Sequence, residues 1–260
     1  MARLLRARGA DVVELSLEER AQAIDHKVDR VAVAGGDGSV ASVAARAGAA
    51  GLPLAVIPVG TANDFARALE LPLQAEAACA LAVEGQRTRT LDLGWMEEHP
   101  FVNAASVGLS PVAAQRAQGL KRVLGPVAYA VGALRAAASA RPVHCRVRSD
   151  GELVHSGPAW QATVACTGAF GAGAEVDADP HDGVLDVVVI EAGSRWRLVQ
   201  RAYGLRAGTV ESQRGVRDAR GREVEVQAEG DTGFNVDGEL VDTIRARFRI
   251  SPHAFEVVVG

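Results

Sequence analysis

Apolar and polar residues alternate along the chain in two different ways, and the change between them divides it into two unlike parts. Between residues 12 and 83, short apolar runs that fit strands are followed by segments with helical spacing, an order typical of a parallel α/β sheet. The strands are predicted at 12–15, 31–34 and 54–57, and the helices at 1–9, 16–28, 39–50, 63–69 and 74–83.

After residue 91 the pattern changes to β-type runs separated by turn signals at 97–100, Asp150-Gly151 and Asp237-Gly238. Helical spacing interrupts these runs at 120–138 and 194–205. The sequence therefore predicts an α/β domain with a parallel sheet at residues 1–92. A β-rich antiparallel, β-sandwich-like domain is predicted to follow it at 93–260.

Composition narrows the class of protein. Apolar residues make up 48% of the chain, enough for a substantial core, and the net charge of −4 argues against general nucleic-acid binding. Only three cysteines occur, at spacings that fit neither a zinc site nor a CxxC pair, which favours a reducing compartment. The sequence has no apolar run long enough to span a membrane. We therefore expect a cytoplasmic protein.

A glycine-rich loop, Gly35-Gly36-Asp37-Gly38-Ser39, lies between a predicted strand and a predicted helix. Backbone amides at a helix N terminus can hold phosphate, and Asp37 could hold a magnesium ion that bridges phosphate oxygens. A tight turn with an acidic tip is the simpler interpretation. A dinucleotide fingerprint also fits as far as Ala41, but the next strand lacks the acidic residue that binds a ribose, and the chain has no Walker A sequence.

A second polar loop, with Gly60, Thr61, Asn63 and Asp64, follows the third predicted strand and leads into a helix. In a parallel sheet it emerges at the same carboxyl edge as the first loop. An ordinary helix cap explains either loop alone. Two such loops in succession predict one phosphate-binding site.

Several motifs in order carry a resemblance to a known family. They are the glycine-rich loop, Gly-Thr-Ala-Asn-Asp-Phe-Ala-Arg at 60–67, Leu-Asp-Leu-Gly at 91–94, Phe-Val-Asn at 101–103 with Ser-Val-Gly at 106–108, Asp-Gly-Val-Leu at 182–185 and Phe-Asn-Val-Asp-Gly-Glu at 234–239. On these motifs the chain resembles the diacylglycerol kinase catalytic-domain family. That family includes bacterial diacylglycerol kinases and other lipid kinases, with sphingosine kinases and NAD kinases as distant relatives.

The resemblance implies a two-domain lipid kinase of phospholipid metabolism that transfers the γ-phosphoryl group of ATP, with Mg²⁺, to a lipid hydroxyl at a membrane surface. Diacylglycerol is the default acceptor.

The resemblance also assigns roles to residues of this chain. The matching nucleotide-binding residues are Gly35, Gly36, Asp37, Gly38, Ser39, Gly60, Thr61 and Asn63, with Ser16 in place of a family threonine. Glu239 matches the proton acceptor, with Asp237 and Asp37 also in the catalytic set. Carboxylates of a magnesium and water network match Asp37, Asp64 and Asp92, and a second, structural magnesium site matches Asp179, Asp182 and the carbonyl of Val184.

The sequence also departs from the family pattern. The family's first strand and its Asn-Pro loop are not found, so we expect the sheet to lack that element. Ala41 stands where the family commonly has an asparagine. A catalytically weak nucleotide- or lipid-binding pseudokinase and an NAD kinase-like enzyme therefore stay open as alternatives.

The segment 195–222 is rich in arginine, which predicts peripheral contact with anionic headgroups at the inner face of the membrane. A solvated arginine-rich surface explains it equally well. The sequence also leaves a homodimer open.

Overall fold

The computed structural model describes residues 1–15, 27–108, 141–167, 169–170, 174–175, 178–194, 215–230 and 233–260. The predicted helix at 120–138, most of those at 16–28 and 194–205, and Ser16 lie outside these residues. No described helix is both long and apolar enough to cross a bilayer.

The first domain contains a parallel strand pair with helices on both faces. Strands β1 (Val31–Gly35) and β2 (Leu54–Pro58) pair in parallel, as predicted. The described helices are α1 (Ala2–Arg6), α2 (Asp37–Ala49), α3 (Asp64–Ala68) and α4 (Ala75–Glu84). Because α2 and α3 pack on one face of β2 and α1 and α4 on the other, every residue of β2 is buried.

The predicted strand at 12–15 is wrong. These residues form neither strand nor helix, and Val12 instead packs against the apolar cluster between α1 and α4. A short apolar run can be satisfied by covering a helix pair as well as by joining a sheet. Among the described residues β1 pairs with β2 alone and lies at the edge of the sheet.

The rest of the described chain is mainly antiparallel sheet, as predicted. Its strands are β3 (Arg87–Met96), β4 (His99–Phe101), β5 (Ala104–Gly108), β6 (Val143–Ser149), β7 (Glu152–Ala165), β8 (Ala169–Phe170), β9 (Ala174–Glu175), β10 (Leu185–Glu191), β11 (Val216–Gly221), β12 (Glu223–Ala228), β13 (Phe234–Val236), β14 (Glu239–Val241) and β15 (Arg245–Val259). The inward-facing side chains of these strands, among them Phe101, Phe234 and Phe248, form a separate apolar core.

Two long strands connect the two cores. The first half of β15 pairs with β12, and its end pairs in parallel with β2, so Phe255 and Val257 pack in the core of the first domain. A register shift between Ser251 and Phe255 marks the change. The division at residues 92 and 93 stays a prediction, with the chain crossing between the cores at β3 and again at β15.

All three predicted turns join antiparallel strands. In two of them, Asp150-Gly151 and Asp237-Gly238, both residues have positive φ, between 45° and 92°. This is the two-residue turn whose twist matches the flanking strands, and Asp-Gly is a preferred sequence for it.

Candidate active site

The glycine-rich loop forms the start of α2. Gly36 is the N-cap, in an extended conformation, and its carbonyl accepts the first helical hydrogen bond from Val40 N–H at 3.0 Å. No side chain caps this 13-residue helix. The amides of residues 37–39 therefore lack helical acceptors at the positive end of the helix dipole, where an anion is favoured.

The second loop is closed by its own asparagine. The Gly60 N–H donates to Asn63 Oδ1 at 2.9 Å, and Asn63 Nδ2 donates to the Gly60 carbonyl at 3.1 Å. Asn63 takes the left-handed conformation, with φ of 53°, which asparagine tolerates better than most residues. Thr61, the predicted phosphate neighbour, is exposed at the tip of this loop.

Asp37 joins the two loops. Its carboxylate accepts hydrogen bonds from the backbone amides of Asp64, at 3.3 Å, and Phe65, at 3.0 Å, so it caps α3 from across the loop. The backbones also touch, since a Cβ added at Gly60 would lie 2.5 Å from the Cα of Gly36. Glycine is needed there for close approach. We call Gly36–Ser39 with Gly60–Asp64 the phosphate loops.

Glu239 reaches the phosphate loops from the other domain. It is the first residue of β14, directly after the Asp237-Gly238 turn. A Cβ added at Gly38 would lie 2.8 Å from Glu239 Oε1 and 3.2 Å from its Cδ, so the carboxylate touches the start of α2. Glu239 is also exposed, which leaves it accessible to a substrate.

Asp237 holds the turn that presents Glu239. Its carboxylate accepts hydrogen bonds from the amides of Val102 (2.7 Å), Asn103 (3.1 Å) and Ala104 (3.1 Å), between β4 and β5. Burial raises the pKa of Asp237 to about 7, and the charge of Asp37 adds to the rise, while the three amide bonds act to lower it. The turn is thereby fixed to the neighbouring strand by one half-buried carboxyl group.

Asp92 forms its hydrogen bonds with residues outside the phosphate loops. It is 3% exposed, and its two oxygens accept hydrogen bonds from the amides of Gly183 and His253, both at 2.7 Å. It thus ties β3 to the 179–184 segment and to the bend in β15. Burial raises the pKa of the Cys166 thiol, and the charges of Asp92, Asp237 and Asp182 raise it further, so these carboxylates lie within electrostatic range of one thiol.

The second predicted magnesium site lies in residues 179–184, which we call the acidic loop. Asp179 accepts a hydrogen bond from the His181 amide, and Asp182 accepts one from the Val184 amide. The other oxygen of Asp182 pairs with the guanidinium of Arg220, which also donates to Asp186 at 3.0 Å. An arginine thus already contacts the carboxylate that the prediction gave to a metal.

By their described contacts the predicted residues fall into two groups. Asp37, the glycines of both loops, Asn63, Asp64 and Glu239 gather around the N terminus of α2, and Ser39 lies in its first turn. Asp92, Asp179 and Asp182 form their described contacts around the acidic loop. In the part of the chain that is described, no three His, Cys, Asp or Glu side chains are grouped to hold a metal ion by themselves.

Sequence reasoning missed two features of the site. The amides of residues 102–104 hold Asp237, but a role carried by backbone leaves no side-chain signal beyond the Phe-Val-Asn motif itself. Arg220 was assigned only to a basic surface. Its pairing with Asp186 depends on the β10–β11 register, which places the two residues directly opposite each other.

Comparisons with known proteins agree with this architecture. Residues 6–96 match the family model of the diacylglycerol kinase catalytic domain, and residues 103–259 match that of the YegS C-terminal NAD kinase beta sandwich-like domain. A Mycobacterium tuberculosis protein named "Diacylglycerol kinase" is 29% identical over 98% of this chain and 86% of its own. A Pseudomonas aeruginosa protein named "Probable lipid kinase YegS-like" is 33% identical over 86% of this chain and 74% of its own.

Solved structures show the same fold. A diacylglycerol kinase from Bacillus anthracis superposes with a TM-score of 0.73 at 19% identity, over 95% of this chain and 84% of that one. An NAD kinase from Archaeoglobus fulgidus in complex with ATP superposes with a TM-score of 0.53 at 15% identity, over 99% and 87%. The family model and these relatives identify a kinase, a phosphotransferase with an alcohol group as acceptor. Within that class, the chain belongs to the diacylglycerol kinase catalytic-domain family.

Proposed function

We propose that this protein is an ATP- and Mg²⁺-dependent lipid kinase that transfers the γ-phosphoryl group to a lipid hydroxyl, with diacylglycerol as the default acceptor. The names of its relatives support a lipid acceptor. The observation that carries the proposal is the contact between Glu239 and Gly38, because it joins a candidate proton acceptor to a candidate phosphate site across 200 residues of sequence.

Each part of the site has a role in this reaction. The amides of residues 37–39 and the second phosphate loop bind and orient the phosphates of the donor. Glu239 takes the proton of the acceptor hydroxyl while the oxygen of that hydroxyl forms a bond to the γ-phosphorus. The bond from that phosphorus to the bridging oxygen breaks, and ADP leaves with the bond's electron pair. Asp237 acts as a positioning residue that fixes the turn before Glu239.

The residues present fit a magnesium-bound nucleotide. Mg²⁺ in such sites is commonly held by one or two carboxylates together with waters and substrate phosphates, so a group of three carboxylates is not required. Asp37 and Asp64, at the joined phosphate loops, are the carboxylates that would hold it. When bound, the ion would offset negative charge on the phosphates.

The test uses purified protein with ATP, Mg²⁺ and a panel of acceptors in mixed micelles, comprising diacylglycerol, monoacylglycerol, a sphingoid base and, separately, NAD. Labelled phosphate should appear in a lipid, most in diacylglycerol. Phosphorylation of NAD alone would favour the NAD kinase-like alternative, whose support is the likeness of fold. Nucleotide binding without transfer to any acceptor, in protein with an intact thermal transition, would indicate a pseudokinase.

A further inference from the structure

One face of the second domain carries five arginines in neighbouring rows. Strands β6, β12 and β15 lie side by side, and their register places Arg148, Glu225 and Arg247 in one row and Arg146, Gln227 and Arg245 in the next. A third row contains Glu223 and Arg249. The alternate residues of the same strands, such as Val147, Val226 and Phe248, point into the apolar core. We call the outward rows the arginine face.

The arginine face is positive on a negative protein. Its five arginines are all exposed. They stand against two glutamates in these rows and against Glu97, whose carboxylate accepts a hydrogen bond from the Arg247 amide, which leaves the face two charges positive while the whole chain has a net charge of −4. Only the pair between Arg247 and Glu225, at 3.1 Å, joins opposite charges within these rows. Within the described residues, Arg146 and Arg245 have no ion-pair partner. The face therefore retains positive charge for an anionic partner.

Apolar side chains border the same face. Leu153 is 56% exposed and lies opposite Arg148 in the β6–β7 ladder. On another side the guanidinium of Arg249 lies 4.6 Å from the centre of the Trp95 ring. Arginine next to tryptophan and an exposed aliphatic residue is the composition of surfaces that lie at the boundary between lipid headgroups and acyl chains.

The arginine face is also close to the candidate site along the chain. Five residues separate Glu239 from Arg245, a span of at most about 20 Å. Leu240, which is 50% exposed, lies between them. A lipid acceptor presents its hydroxyl at headgroup level, so a protein held there by this face would keep Glu239 near the surface from which the acceptor comes.

The arginines expected from sequence to meet the membrane differ in this respect. Of the segment 195–222 the structure describes residues 215–222, and there Arg217 pairs with Glu191 at 2.8 Å and Arg220 pairs with Asp182 and Asp186. The charges of Arg217 and Arg220 are already offset by carboxylates, which leaves Arg222 as the one arginine of these eight residues outside an ion pair. The charges of Arg146 and Arg245 are not offset in this way, which makes the arginine face the better anionic-lipid surface among the described residues.

We propose that the arginine face, formed by Arg146, Arg148, Arg245, Arg247 and Arg249 with Leu153 and Trp95 at its borders, docks the protein on a bilayer that contains anionic lipid. The proposal deepens the proposed function, because a lipid kinase must reach its acceptor at a surface. Both partners are defined by chemistry: phosphate-bearing headgroups for the guanidinium groups, and the outer acyl region for the apolar border.

The experiment measures binding of the full chain, without ATP, to vesicles of phosphatidylcholine and of phosphatidylcholine mixed with phosphatidylglycerol. Wild-type protein should co-sediment with the anionic vesicles at low salt and lose binding as salt rises. The R146Q/R245Q variant should bind them roughly 20- to 30-fold more weakly, since each arginine near such a surface contributes about a fivefold effect. R87Q/R89Q is the matched control, because it removes two exposed arginines on β3 outside the arginine face.

Three results would overturn the proposal. Equal losses in R87Q/R89Q and R146Q/R245Q would mean that total charge, and not this face, drives binding. Equal binding of wild-type protein to both vesicle types would remove the anionic partner. Tighter binding to a duplex oligonucleotide than to anionic vesicles, lost in R146Q/R245Q, would assign the face to nucleic acid. Thermal melting of each variant checks folding, and because no ATP is present, failure of kinase activity cannot be confused with failure of docking.

Discussion

The phosphate loops and the acidic loop make an instructive pair, because both contain the carboxylates predicted to hold magnesium and they differ in what surrounds those carboxylates. In the phosphate loops, Asp37 accepts hydrogen bonds from two backbone amides and lies at the N terminus of α2, which no side chain caps. In the acidic loop, Asp182 is paired with Arg220. The first arrangement offers amides and carboxylate together to a magnesium-bound phosphate, whereas the second already has a cation beside it.

A sequence motif therefore identifies carboxylates that can bind a cation, but it does not determine whether that cation is a metal ion or an arginine. An arginine guanidinium and a metal ion both neutralise a carboxylate, and the arginine does so only when another strand brings it there. Here β11 brings Arg220 opposite Asp186. The experiments that follow test whether the two regions differ in this way.

The largest effect is expected from E239Q, which changes the carboxylate that contacts the phosphate loops. Glutamine keeps the shape of Glu239 but cannot accept the proton of the acceptor hydroxyl, so kcat should fall about 100- to 10,000-fold. Steady-state kinetics with ATP and diacylglycerol in mixed micelles measures it. The control is E256Q, which changes an exposed glutamate on β15 and should keep full activity. Wild-type turnover in E239Q would remove Glu239 from the chemistry.

A second variant, G38A, tests the contact that joins the two domains. The added Cβ would displace the carboxylate of Glu239, and a small misplacement of a catalytic group can cost about 100-fold in rate. Folding should not suffer, because the end of a flexible side chain can move and alanine in a helix is about 0.5–1 kcal/mol more favourable than glycine. A fall in kcat with an unchanged or higher melting temperature is the expected result.

The double variant G38A/E239Q shows which group is affected. If alanine acts by moving Glu239, the double variant should be no slower than E239Q, since a group that is already disabled cannot be disabled again. Multiplication of the two losses would instead mean that Gly38 matters through its own backbone at the phosphates.

Much of the first region could be predicted from the sequence, for a physical reason. Strands, helices and Asp-Gly turns are specified by neighbouring residues, so β1, α2, β2 and the Asp237-Gly238 turn were all found within two or three residues of their observed ends. Pairings between distant strands carry no such local signal. The amides of residues 102–104 that hold Asp237, and Arg220 beside Asp182, both depend on strand register. The wrong strand at 12–15 shows the same limit, because an apolar run does not name its partner.

The pH dependence of stability tests the half-buried carboxyl group of Asp237, in the turn before Glu239. Asp237 has a pKa of about 7 in the folded protein against an ordinary value of 3.8. Because the folded-state pKa is the higher one, its contribution to stability is fully present below pH 3.8 and is lost as pH rises through about 7. The free energy of unfolding, measured with denaturant, should therefore fall by roughly 1–3 kcal/mol across this window relative to D237N, which has no carboxylate to titrate. A difference that stays flat or rises with pH would mean that the three amide bonds, and not burial, set this pKa.

The smallest effect concerns the acidic loop and decides which cation it uses. Arg220 is 55% exposed, so R220Q should lower the free energy of unfolding by only about 0.2–1 kcal/mol. The informative readout is the response of the melting temperature to Mg²⁺ and to EDTA. Without the guanidinium, Asp182 and Asp186 repel each other, and added Mg²⁺ should raise the melting temperature of R220Q more than that of wild type.

Two further variants control this experiment. R217Q, which removes a neighbouring exposed arginine and its pair with Glu191, should respond as wild type does. D182N separates the two possibilities, because a magnesium response of the wild-type protein that disappears in D182N would show that this loop binds the metal despite Arg220.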